Sequence, residues 1–359
     1  MRLPFVKPGK KMSPEKTKRL RSLLFSFLGS LLVVVLFQFL VLDPVAEEIE
    51  KVKRLIKYSV DRWGAYADIW ELLNEQKADT AWFQAVVPYL KSIDPYGKPI
   101  STSWERPEIA GIDINSPHSY KSEPDVESDR LVAGWASSFK KRGKLVLFGE
   151  QGNTTHGPID RRTGCGGVWD PLSAQRMRVR LWTALFSEIG LVFWDTSYAK
   201  DGNKMNIWLG PDERAYVHVL QTFAQKLDKD VKMAAPNLDG AMAGDVRAYG
   251  LRSSHVTAVY LHHTACAQCA KEGKDPVKEH VWQNGPAFYF HDPGEVKDVS
   301  VTLDVPKGHG YWVSPVDGAL VGRVELAQGK QTVPVPPFKV DMALLVSPDA
   351  PLQVMPLQE

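Results

Sequence analysis

Cysteine is nearly missing from this chain: Cys165, Cys266 and Cys269 are the only three in 359 residues. So few thiols exclude a disulfide scaffold and a self-contained four-cysteine zinc site. They leave one local cluster, HHTACAQC, in which Cys266 and Cys269 follow His262 and His263. It reads as a metal loop, a local disulfide or free thiols; zinc normally draws ligands from two separated segments, so no metal is expected. A charge excess is missing too. Lysine and arginine number 44 against 42 acidic residues, and the basic ones crowd the first 22 positions, so a nucleic-acid partner is excluded. Disorder is excluded by a hydrophobic share of 44% beside 24% charged residues. Tryptophan is the type in good supply, with 11 residues; its flat apolar face suits both large cores and the C–H faces of sugars.

Long apolar runs are absent except for one. Residues 23–42, LLFSFLGSLLVVVLFQFLVL, carry no charge over a length that suits a bilayer-crossing helix. Residues 1–22 form a basic arm with Arg2, Lys7, Lys10, Lys11, Lys16, Lys18, Arg19 and Arg21 against Glu15. By the positive-inside tendency the arm is cytoplasmic and 23–42 is a transmembrane or signal-anchor helix, which puts the membrane among the partners and the catalytic part outside the cytoplasm. Cleavage after the run would give a secreted chain. The alternative is that LLVVVLFQFLVLD, rich in β-branched and aromatic residues, supplies a buried strand and helix of the next domain.

From position 45 to 232, helical periodicity and short apolar runs alternate. VAEEIEKVKRLIKYSVDRWGAY predicts an amphipathic helix with Ile49, Val52, Leu55, Ile56 and Val60 on one face. ADIWELLNE, KPISTSW, GIDINSPHSY, KLVLFGEQG and LVFWDTSY read as strands, separated by helices over DTAWFQAVVPYLKSIDP, DRLVAGWASSFKKRG and AQRMRVRLWTALFSEIG, with PDERAYVHVLQTFAQKLDKDV as the closing helix. This is the βα order of a parallel sheet, and parallel barrels carry their chemistry at the C-terminal ends of strands. Those ends hold Asn74 and Glu75, His118 and Tyr120, Glu150, and Trp194 with Asp195. Residues 233–359 differ: VRAYGL, HVTAVYLHH, FYFHD, VSVTLDV, GYWVSP, LVGRVEL, QTVPVP and MALLVSP predict an all-β sandwich domain, after MAAPNLDG as a linker.

Glycosidic cleavage needs one carboxyl group that protonates the leaving oxygen and another that attacks the sugar or activates water. Glu75 in WELLNEQ and Glu150 in LVLFGEQG each follow an apolar strand, where environment can separate their proton affinities. Asn74 is placed to donate to the sugar 2-OH.

At these motifs the sequence resembles clan A glycoside hydrolases, notably family-5-like cellulases and mannanases. RWGAYADIWELLNEQ looks like their fourth-strand region, with the pattern W-E-x-x-N-E ending in the acid/base, and LVLFGEQG looks like the seventh, with the nucleophile after F-G. DPYGKPISTSW and DINSPHSY resemble the fifth and sixth strands. The resemblance implies an α/β fold: a partial (β/α)8 TIM-type barrel of strands 4 to 8, followed by the sandwich. It also implies that His118 and Tyr120 line the site, with Tyr120 or its neighbour orienting the nucleophile, and that Trp194 is a sugar platform.

The expected function is a retaining hydrolase of β-linked glucan or mannan type, with Glu75 as acid/base, Glu150 as nucleophile and no cofactor. The alternative is a membrane-anchored, catalytically silent relative that binds carbohydrate. The sequence carries no signal for oligomeric state.

Overall fold

The computed structural model describes residues 34–36, 46–120, 125–152, 173–194, 211–265 and 293–348. Elements are numbered within those residues. Seven strands form one parallel sheet: β1 (Val34–Leu36), β2 (Ile69–Glu71), β3 (Ile100–Ser103), β4 (Ile114–Ser116), β5 (His118–Tyr120), β6 (Leu145–Gly152) and β7 (Gly190–Trp194). The order runs β1-β2-β3-β4-β6, with β5 and β7 also paired to β6. Strands β4 and β5 are two halves of one path along β6: β4 pairs with Leu145 and Val146, and β5 pairs with Glu150 to Gly152. Pro117 divides them, because proline has no N–H to give the ladder.

Helices α1 (Ala46–Trp63), α2 (Thr80–Ile93), α3 (Asp125–Lys140), α4 (Ser173–Phe186) and α5 (Pro211–Ala224) occupy the connections and the stretch after β7. Their apolar stripes meet alternate strand residues. Trp70 of β2 and Ile100 of β3 are buried with Val52, Ile56 and Val60 of α1 and Phe83, Val86 and Leu90 of α2. Leu55 departs from the expected face and is 42% exposed, since it lies about 100° around the helix from Ile56. Asp79 caps α2 by accepting the Trp82 N–H at 2.8 Å. On the far side, Val146 and Phe148 of β6 pack against Val132 and Ala136 of α3, with Trp135 stacked on Phe148 at 4.7 Å. This is the parallel βα arrangement expected of a partial barrel.

Two expectations are corrected. Residues 34–36 of the uncharged run are not part of a membrane-spanning helix; they form β1, in parallel register with Ile69–Glu71. The Val-Val-Leu sequence explains this, because β-branched side chains favour extended backbone. The sheet thereby gains a strand ahead of the one matched to the fourth, whereas the resemblance implied only strands 4 to 8. The rest of 23–42 lies outside the described residues, as do residues 1–22, and no described helix is long and apolar enough to cross a membrane. The second correction concerns MAAPNLDG: within the expected linker and at its edge lie two strands, β8 (Lys232–Ala234) and β9 (Asn237–Gly240).

The remaining strands are β10 (Val246–Arg252), β11 (Thr257–His263), β12 (Val299–Val305), β13 (Gly308–Val313), β14 (Leu320–Leu326), β15 (Gly329–Pro334) and β16 (Asp341–Ser347). They make a six-stranded antiparallel sheet, β14-β13-β16-β11-β10-β8, facing a three-stranded one, β15-β12-β9. Val259 and Leu261 of β11 and Leu344 and Val346 of β16 fill the space between the sheets with Val301, Leu303 and Val333. The alternate residues Ala258, Tyr260, Ala343 and Leu345 pack outward on Trp182 and Phe186 of α4 and Val219 and Phe223 of α5. Strands β11 and β16 are therefore buried at every position, which is why they read as continuous apolar runs. FYFHD falls outside the described residues.

Ion pairs complete this contact. Arg178 of α4 donates to Asp341 of β16 from Nε at 2.9 Å and Nη2 at 3.0 Å, and the Tyr260 hydroxyl donates to the same carboxylate at 3.1 Å. Asp129 of α3 receives Arg247 twice at 2.7 Å and the Tyr249 hydroxyl at 2.8 Å. Burial alone would raise the Asp129 pKa, but His262 and Arg247 hold its carboxyl well below the usual carboxylate range.

Candidate active site

Glu75 follows β2, Glu150 lies near the C-terminal end of β6 and His118 opens β5. The parallel sheet brings them together. One donor atom from each of Glu75, His118 and Glu150 lies within 4.8 Å of the other two. His118 Nδ1 is 3.2 Å from Glu75 Oε1 and 3.7 Å from Glu150 Oε2. The imidazole is almost fully buried, while the Glu75 side chain is 47% exposed and that of Glu150 12%, so the acidic pair opens outward from a histidine floor. This spacing would also admit a divalent cation, a geometry that exposed acidic groups commonly show without one.

Local backbone devices hold each carboxylate. Glu75 has a φ of 53°, in the left-handed region that a non-glycine residue rarely adopts. Its N–H donates to the Ser103 hydroxyl, which itself donates to the Leu73 carbonyl at 2.9 Å, so one β3 side chain pins the turn after β2. The β6–β7 register shifts between Phe148 and Gln151, an irregularity that re-aims Glu150. Gly149 is required there: a Cβ would collide with Ser116 Oγ and come within 3.2 Å of His118 Nε2 and 3.4 Å of Glu71 Oε2. Gln151, next in the strand, accepts from Arg180 Nη1 of α4 at 2.8 Å, and Arg180 Nε donates to Ser128 of α3 at 3.0 Å.

Asn74 sits beside Glu75, and its Oδ1 is buried with no hydrogen-bond partner among the described residues. Tyr120 and Trp194 are brought to either side of Gly152 by the β5–β6 and β6–β7 pairings; their side chains lie outside the described part of the chain. Asp195, Cys165, Cys266 and Cys269 also lie outside it. The two histidines of HHTACAQC end β11, where His262 Nδ1 is 3.1 Å from Asp129 and His263 Nδ1 is 2.9 Å from the Lys339 carbonyl oxygen. They serve the contact with α3 and the local backbone.

Sequence reasoning missed Glu71. It is 2% exposed, and burial, together with the charges of Glu150 and Glu75, pushes its carboxyl up to about 7, partly offset by the Ser116 hydroxyl. His118 Nε2 lies 4.0 Å from Glu71 Oε1. A single acidic residue inside the apolar WELL was the available signal, because a charge is seldom left in a buried strand without a use. Below neutrality Glu71 is uncharged, so the pair above it does not face a third negative charge.

The sequence matches no protein-family model and no curated protein. Solved structures do resemble it. A noncanonic maltogenic alpha-amylase from Thermotoga neapolitana is 13% identical at a TM-score of 0.43, covering 83% of this chain and 66% of its own. A GH30 endoxylanase from Clostridium papyrosolvens is 12% identical at 0.43, covering 84% and 70%. A family 30 subfamily 8 xylanase from Clostridium acetobutylicum is 12% identical at 0.41, covering 84% and 71%. This chain thus spans just under two thirds of the amylase.

Proposed function

We propose that the chain carries a retaining glycoside hydrolase site, in which Glu75 is the acid/base and Glu150 the nucleophile, acting on β-linked poly- or oligosaccharide of glucan or mannan type. The observation that carries it is the approach of a Glu75 and a Glu150 oxygen to within 4.8 Å, from two different strand ends. Retaining enzymes hold their carboxyl groups roughly 5 to 5.5 Å apart, whereas inverting enzymes leave roughly 6.5 to 9.5 Å for a water. In this reading Glu150 attacks the anomeric carbon while Glu75 gives its proton to the departing oxygen; Glu75 then takes a proton from the water that releases the sugar from Glu150. The half-exposed Glu75 suits the role that must meet both leaving group and water. His118 keeps the two carboxylates in register, and Asn74 meets the sugar hydroxyl.

The test uses Glu75→Gln and Glu150→Gln with aryl β-glycosides, β-glucan and β-mannan. Each substitution is expected to lower kcat by about a thousandfold or more. Rates equal to the parent's would remove the reading. Sugar affinity without turnover in the parent would instead select the carbohydrate-binding alternative.

A further inference from the structure

A groove of about 290 Å³ opens beside Glu75, lined among others by Gln76, Lys77, Phe83, Ser103, Trp104 and Arg106. We propose that this groove is the subsite for the leaving-group sugar, with Trp104 as its stacking platform and Lys77 as its hydrogen-bond donor. The assignment of the side rests on the hydrolase reading, since the acid/base stands next to the oxygen that departs, so the departing sugar lies beyond Glu75 and away from Glu150.

Three observations converge on it. Trp104 is 42% exposed, a large apolar ring held open to water among polar neighbours. Its backbone has a φ of 58°, in the left-handed region that a non-glycine residue rarely adopts and that clusters at ligand-binding positions. Ser103, the hydroxyl that clamps the Glu75 N–H, also lines the groove, so platform and acid/base are fixed by adjacent residues of one strand end. The charges sort themselves as well. Arg106 is engaged by Glu108, the Ala78 carbonyl and Thr80, and Glu105 by Arg142. Lys77 makes no ion pair among the described residues; its Nζ lies over the Trp104 ring, 5.2 Å from the centroid, within reach of the ring hydroxyls of a pyranose stacked on that tryptophan.

The experiment compares two substrate types on the full chain: cellotetraose and mannotetraose, whose leaving group is a sugar, and β-cellobiosyl and β-mannobiosyl fluoride, whose leaving group is one atom. Trp104→Ala, with Trp104→Gly as a second variant that tolerates the left-handed backbone, is expected to lower kcat/KM for the tetrasaccharides by about tenfold or more and to leave the fluorides within about twofold, while Trp104→Phe recovers most of the loss. Equal losses on both substrate types, or none, overturn the subsite. Should the parent hydrolyse neither, the hydrolase reading fails and the groove is judged by calorimetric titration with the same tetrasaccharides. Binding that Trp104→Ala abolishes then sustains a sugar site, and absent or unchanged binding overturns it.

Discussion

The parallel sheet and the six-stranded antiparallel sheet both bury their central strands, but they bury opposite chemistry. In the antiparallel sheet β11 and β16 place Val259, Leu261, Leu344 and Val346 on one side and Ala258, Tyr260, Ala343 and Leu345 on the other, with polar residues only near the strand ends. In the parallel sheet Glu71, Ser101, Thr102, Ser103, Asn115, Ser116 and Gln151 are buried within or beside the same strands that carry Trp70 and Phe148. Several of their atoms, including Glu71 Oε1 and both side-chain polar atoms of Asn115, have no hydrogen-bond partner among the described residues. Leaving such groups unpaired costs about 1 to 3 kcal/mol each. One sheet fills its interior with apolar packing, and the other sets polar and acidic side chains among its apolar ones.

The contrast can be broken most sharply at the acidic pair. Glu75→Gln and Glu150→Gln should remove activity by the margin given above yet leave the thermal midpoint where it was; a midpoint falling in step with activity would assign them to structure. Asp341→Ala should do the reverse. It leaves Arg178 buried without its carboxylate, so a loss of about 4 kcal/mol is expected in denaturant unfolding, with kcat per folded molecule preserved.

Glu71 sharpens the comparison through pH. Its folded-state value of about 7 lies above the ordinary 4.5, so between those limits the folded form holds a proton that the unfolded chain has released. Stability is therefore fully present below pH 4.5, falls as pH rises through the window and levels off above 7, by about 3 kcal/mol in all. Glu71→Gln should flatten that slope, and an unchanged slope would show that Glu71 titrates normally. The smallest effect is expected for Val346→Ala, which removes two methyl groups from between the sandwich sheets for about 2 kcal/mol and touches no part of the acidic cluster.

How far the sequence spoke depended on the same division. The helices and the apolar strands were legible because burial of one face imposes a period, as in Val52, Ile56 and Val60 or in the runs of β11 and β16. The edge strands β8 and β9 were not: they are short, largely exposed and without alternation, so MAAPNLDG looked like a linker. The apolar stretch containing β1 was misread because length without charge describes a membrane helix and a buried parallel strand equally well until pairing partners are known. In the site, Glu75, His118 and Glu150 were legible from their strand-end positions. Glu71 and Trp104 were not, since the first draws its properties from neighbours on other strands and the second from a backbone angle.

The position of β16 has a consequence for how the chain is assembled. This strand lies between β13 and β11, and it supplies the carboxylate that Arg178 requires. β11 must therefore wait through roughly 80 residues of synthesis for its neighbour, a long-range pairing of the kind that slows folding. While the nascent chain is still growing, β11 and the aromatic faces of α4 and α5 have no β16 to cover them, which makes this interval the one in which a chaperone or a faulty association would find its opening.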